Sequence, residues 1–170
     1  MGSHRSARDR LAAFGNEMVR VHDWLRDELR WLGDEVDACL AGRGERPRNL
    51  KAHCLSFCSA VTNHHQGEDD GAFVLLNRDF PELRPIVEKL KQDHVLVSGL
   101  LQSLRRVVDG IPAEPDEADA RRIRTELGGL NAILESHFSF EERRIVDALN
   151  SLPAEFGTTE SLLGVTPPRR

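Results

Sequence analysis

Apolar residues recur every three or four positions along four stretches of this chain, the spacing of a helix that buries one face. The first stretch runs from about Arg8 to Asp37 and carries Leu11, Met18, Val21, Leu25, Leu29, Leu32 and Val36. The second runs from about Pro47 to Asp70, with Leu50, Cys54, Phe57 and Val61 on its seam. The third starts near Pro81 and ends near Asp109, with Leu83, Ile86, Leu90, Val97, Leu101, Leu104 and Val108. The fourth spans about Asp116 to Leu149, with Leu127, Leu130, Leu134 and Ile145 on its inner face. Breakers separate them: Gly42 to Pro47, Asn77 to Pro81, and Pro112 to Asp116. Pro47 suits the first turn of a helix, where its missing N–H costs nothing. Asp116 and Glu117 complement the dipole of the helix they open. The pattern predicts an all-α fold, an antiparallel up-down four-helix bundle over residues 6–150. Residues 151–170, with Pro153, Gly157, Gly164, Pro167 and Pro168, are expected to form a flexible C-terminal tail with one short docked turn.

Polar residues interrupt every one of these seams. His22 lies beside Val21, His64 and Glu68 continue the second seam, His94 the third, and His137 and Glu141 the fourth. In an up-down bundle, residues equidistant from a connecting turn lie at similar heights. His22 and His64 are equidistant from position 43, and His64 and His94 from position 79. The midpoint of His94 and His137 falls between 115 and 116. All three midpoints lie in breaker runs, so the four histidines and two glutamates are expected in one slice of the interior. Burying two unpartnered carboxylates there would cost several kcal/mol each, against a whole-fold stability of about 5–15 kcal/mol. A compensating cation resolves that conflict. In a His-x-x-x-Glu pair both side chains share one helix face, so the imidazole can bind one metal while the carboxylate reaches it or a second. Nitrogen and carboxylate donors without thiolate suit two non-haem iron ions, with manganese or zinc as alternatives.

His65 follows His64 and points about 100° around the helix. It is either a further ligand, alongside His22, His64, Glu68, His94, His137 and Glu141, or an exposed or supporting residue. His53 lies three turns before His64, too far along the axis, and is expected to be structural. Asp69, Asp70, Asp93 and Glu142 flank the histidines as solvated groups or acceptors for imidazole N–H groups. Gly67 and Gly71 are expected to loosen the end of the second helix, and Ala72 to Leu76 to cap the bundle over the site.

Composition narrows the function classes. The chain has 170 residues, a size for one domain, and a net charge of −5 spread along its length. No basic stripe suggests nucleic acid, and no run of apolar residues is long enough for a membrane span. Tyrosine is absent, which removes it as a ligand. The N-terminus has the charge but not the apolar run of a signal peptide, so the expected location is cytoplasmic. Cys39, Cys54 and Cys58 are read as small packed residues, with Cys54 and Cys58, one turn apart, alternatively a redox-sensitive pair.

With these residues in hand, the chain resembles the hemerythrin-like, HHE cation-binding family over about residues 15–150. The resemblance rests on Val21-His22-Asp23-Trp24-Leu25, His64-His65-Gln66-Gly67-Glu68-Asp69, Asp93-His94 and His137-Phe138-Ser139-Phe140-Glu141-Glu142. It implies a four-helix bundle enclosing a non-haem di-iron centre. Two departures separate the chain from the oxygen carriers of that family: Ser98 stands where they have a second histidine on the third helix, and Glu141 is spaced more closely than their aspartate. The implied function is binding of, or reaction with, a diatomic or small oxidant ligand: oxygen, hydrogen peroxide or nitric oxide. Sensing, scavenging or slow redox turnover would follow, and the bulky Leu25, Val61, Val97 and Phe140 suggest room for a diatomic. The alternative is an iron-responsive regulatory module or a structural metal-binding bundle without turnover. The sequence identifies no protein partner.

Overall fold

The computed structural model describes residues 13–41 and 47–169. The expected helix start at Arg8, Leu11 of the first stripe and the breaker run 42–46 lie outside the described residues. Four long helices carry the fold: α1 (Phe14–Leu40), α2 (Pro47–Gly67), α4 (Arg84–Asp109) and α5 (Glu117–Asn150). Between α2 and α4, a π-helical turn (Glu68–Ala72) leads into α3 (Phe73–Asp79), then a 3-10 turn (Pro81–Leu83). A 3-10 turn (Ala154–Phe156) and the short α6 (Thr159–Leu163) follow α5. No strand occurs among the described residues, and none of their helices is long and apolar enough to cross a membrane.

The helix ends follow their local chemistry. Asp116 caps α5 by accepting from the Asp119 N–H, while the Asp119 carboxylate accepts from the Asp116 N–H; two N–H groups with no intrahelical acceptor are thereby satisfied. Pro85 sits in the first turn of α4. The apolar stripe of α1 is buried as the spacing predicts, from Met18 through Val36. The α4 seam is corrected at its start. Val87 is buried and Ile86 only half-buried, because three-residue and four-residue steps back from Leu90 both lie near its face.

α1 packs against α2 and α5, and α4 packs against the same two, closing a ring of four helices. Contacts between α1 and α5 climb one helix as they descend the other: Asn16 bonds Asn150, Arg26 bonds Glu135, and Asp37 bonds Arg124. The interior is apolar at both ends. One cluster includes Leu32, Val36, Cys54, Leu104, Ile123 and Leu130. The other gathers Phe14, Met18, Phe73, Leu76, Leu90 and Leu149. Ala72, Phe73 and Leu76 thus close one end of the core, as the apolar patch predicts, although Val74 is exposed.

Two expectations about chain ends are corrected. Gly67 and Gly71 do not loosen α2, because the helical path continues through the π-turn into α3. The segment after Asn150 does carry a short docked turn, α6, but more of it packs inward than a flexible tail implies: Leu152, Leu162 and Leu163 are buried in the core. The close approach explains both. A Cβ on Gly67 would overlap the backbone of Gly164, and one on Gly71 would sit 2.6 Å from the Ser161 carbonyl oxygen. Gly164 adopts a left-handed φ of +77°, which glycine permits at little cost.

Candidate metal centre

Every buried polar or charged residue among those described belongs to a single group: His22, His64, His65, Glu68, His94, His137 and Glu141. These are the seven positions singled out in the sequence, and none is more than 5% exposed. α1 supplies His22, α2 supplies His64 and His65, the π-turn supplies Glu68, α4 supplies His94, and α5 supplies His137 and Glu141. π-turns are rare and concentrate at functional sites; here one begins at Glu68, one of the two carboxylates of the layer.

The inward-facing atoms converge. His22 Nε2 lies 3.1 Å from His64 Nε2, and His64 Nε2 lies 3.1 Å from Glu68 Oε1. His137 Nε2 is 3.1 Å from Glu141 Oε2, and His94 Nε2 is 3.6 Å from Glu68 Oε1. Two histidine-rich groups emerge, His22/His64/Glu68 and His65/His94/His137, with Glu68, His94 and Glu141 forming a third between them. Within each group, atoms able to ligate a metal lie within 4.8 Å of one another.

The opposite ring nitrogens are held from behind. His22 Nδ1 meets Glu142 at 3.3 Å, His94 Nδ1 meets Asp69 at 2.8 Å, and His137 Nδ1 meets Asp93 at 3.1 Å. His64 Nδ1 donates to the Leu163 carbonyl at 2.7 Å. With Nδ1 engaged from behind, each ring is held so that Nε2 faces inward, the arrangement that orients metal-binding imidazoles. Glu142 is itself clamped by Arg26 through bonds of 2.8 and 3.0 Å. Burial pushes the Glu142 carboxyl up, but His22 and Arg26 outweigh it and bring it down to about 2. Asp69, Asp93 and Glu142 therefore match the expected role as acceptors. The Leu163 carbonyl and Arg26 were not foreseen. A backbone acceptor on a distant turn leaves no sequence signal, whereas Arg26, four residues after His22, does share its face.

His65 is turned inward. Its ring stacks on His94 with centroids 3.8 Å apart and planes 9° from parallel. Burial, then the neighbouring His94, His64 and His137, depress its basicity well below the usual histidine range. Burial and His22 likewise bring His64 down to about 3. Both rings are therefore neutral at physiological pH, the form that binds metal. Glu68 is pushed well above the usual carboxylate range by burial first and by the adjacent Glu141. Burial also pushes Glu141 up, but contact with the Glu68 carboxyl, His137 and His22 holds it well below that range.

The donor set fits a metal on a direct observation. Nε2 of His65, His94 and His137, and all four carboxylate oxygens of Glu68 and Glu141, are buried without a hydrogen-bond partner. The 3.1 Å approach of His137 to Glu141 is close enough for an ion pair but lacks hydrogen-bond geometry. An unsatisfied buried polar group costs about 1–3 kcal/mol, so this concentration rivals the stability of an entire fold. Cations coordinated by these atoms would relieve it.

Other expectations find their places. His53 bonds Glu35 at 2.7 Å and Glu28 at 3.1 Å and lies edge-on to Trp31, away from the centre. Phe140 does not face the site: its ring lies under Lys89 and Arg144 at the outer face. The aromatic walls are Phe138, stacked on His22 at 4.1 Å, and Phe73, stacked on His94 at 5.5 Å.

A family model described as the Hemerythrin HHE cation binding domain matches residues 14–149. Comparison with curated proteins and with solved structures gave no match.

Proposed function

Because the chain belongs to the hemerythrin HHE cation-binding domain family, we propose that it is a cytoplasmic, non-haem di-iron protein that binds or reacts with oxygen, hydrogen peroxide or nitric oxide. The fold is read as an antiparallel up-down four-helix bundle, supported by the opposed pairing of α1 with α5. His22, His64 and Glu68 would hold one cation, and His65, His94 and His137 the other, with Glu141 and Glu68 between them. The observation that carries the reading is the set of buried, unpartnered donor atoms on these side chains.

Iron bound there supplies Lewis acidity and one-electron redox chemistry. The chain's own residues prepare the place. Asp69, Asp93, Glu142 and the Leu163 carbonyl fix the rings, so ligation requires no reorientation. Phe73 and Phe138 exclude water from two sides. Burial and the adjacent Glu141 favour the protonated form of Glu68, so cation binding there would be linked to proton release. The aromatic and aliphatic walls favour a ligand of a few atoms over a bulky substrate. Sensing, scavenging and slow turnover all follow from such a site.

The test is to load the purified protein anaerobically with ferrous iron, then add oxygen, hydrogen peroxide or nitric oxide while recording near-ultraviolet and visible absorption. The expected result is a rapid change in the iron-loaded protein with at least one of the three, and none in the metal-free protein. An iron-loaded protein inert to all three would instead support a structural or regulatory cation site.

A further inference from the structure

A groove of about 510 Å³ lies between α2 and α4 and reaches the buried layer at its His65 and His94 edge. These two are the most exposed members of the layer, at 5% each, and Nε2 of both is buried without a hydrogen-bond partner. The groove walls include Thr62, Gln66 and Gln102, with Ser98 one helical turn beyond His94. Asp69 and Asp70 also line it, and among the described residues no lysine or arginine does. Three other surface cavities each carry a pair of arginines: Arg121 with Arg124, Arg20 with Arg169, and Arg26 with Arg30. The other half of the layer is sealed. Leu163 covers His64, and Phe138 covers His22.

We infer that the groove between α2 and α4 is the port through which divalent cations reach the buried layer. This rests on reading that layer as a cation centre. Carboxylates lining a cleft raise the local cation concentration and speed capture. Along the groove, oxygen donors of Thr62, Gln66, Ser98 and Gln102 can replace part of the hydration shell of a cation on its way to His65 and His94. The same electrostatics disfavour small anions. The competing route is transient opening of the whole bundle, which would be indifferent to what fills this groove.

The experiment mixes metal-free protein with cobalt(II) and follows its visible absorption in a stopped-flow instrument. Ser98→Leu and Gly99→Leu are independent plugs. Both positions are exposed, and a Cβ on Gly99 meets no atom within 4 Å. Gly33→Leu is the control, since it also has free space and lines an arginine-bearing cavity elsewhere. Both plugs are expected to slow uptake several-fold while final cobalt content and helicity stay unchanged, and Gly33→Leu to load at the original rate. Asp70→Asn should load more slowly at low salt, with the difference disappearing near 1 M salt, where the screening length is about 3 Å. Equal rates in the plugged, control and unmodified proteins, at full final loading, would overturn the port and leave the cation centre standing. An unmodified protein that takes up no cobalt or iron would overturn both.

Discussion

His65 carries the sharpest question at the scale of single residues. Its position after His64 left two roles open, because a residue 100° around a helix can face either the interior's edge or solvent. Packing decides the orientation: α4 brings His94 to a 3.8 Å stacking distance and buries the ring. His65→Ala is therefore expected to weaken the cation on the His65/His94/His137 side and spare the His22/His64/Glu68 side. Iron content should fall from about two per chain towards about one, since the neighbouring group keeps its donors. Iron titration of the variant measures this; an unchanged two-step titration would make His65 a packing residue only. The other six candidate residues were legible from sequence because five stand in seam positions otherwise held by apolar residues, His22 lies beside Val21 of the first seam, and all six share one level.

At the scale of elements, the four long helices were legible because their stripes run for many turns. The π-turn was not, since one inserted residue barely alters a pattern of three-residue and four-residue steps. α6 was legible only as one short docked turn somewhere after Asn150. Five residues, Thr159–Leu163, are too short to show periodicity, and their helical state depends on the Thr158/Ser161 cap and on docking. These two elements meet at the centre: the π-turn presents Glu68, and the end of α6 supplies the carbonyl that holds His64. Gly67 permits that meeting. Gly67→Ala would force its methyl into Gly164, so α6 must shift, at a cost of about 1–3 kcal/mol. The variant should also bind the cation on the His22/His64/Glu68 side more weakly. Gly128→Ala, where a Cβ meets no atom within 4 Å, should be neutral or stabilising by up to about 1 kcal/mol. Denaturant unfolding and metal titration of both variants test the claim; a Gly67→Ala protein matching Gly128→Ala in both would refute this role for the docked α6.

On the scale of the whole molecule, two apolar clusters enclose a polar layer that neither can satisfy. The fold tolerates that layer because its donors converge on places a cation can occupy. The claim separates His53 from the five histidines of the layer, since its partners Glu28 and Glu35 already satisfy both ring nitrogens. Elemental analysis after anaerobic iron loading tests this most directly, on the unmodified protein and on His53→Ala, His64→Ala and His137→Ala. The account predicts about two irons per chain in the unmodified and His53→Ala proteins, and the loss of at least one in each of the other two. A folded, unmodified protein that binds no iron, or equal loss in all three variants, would contradict it.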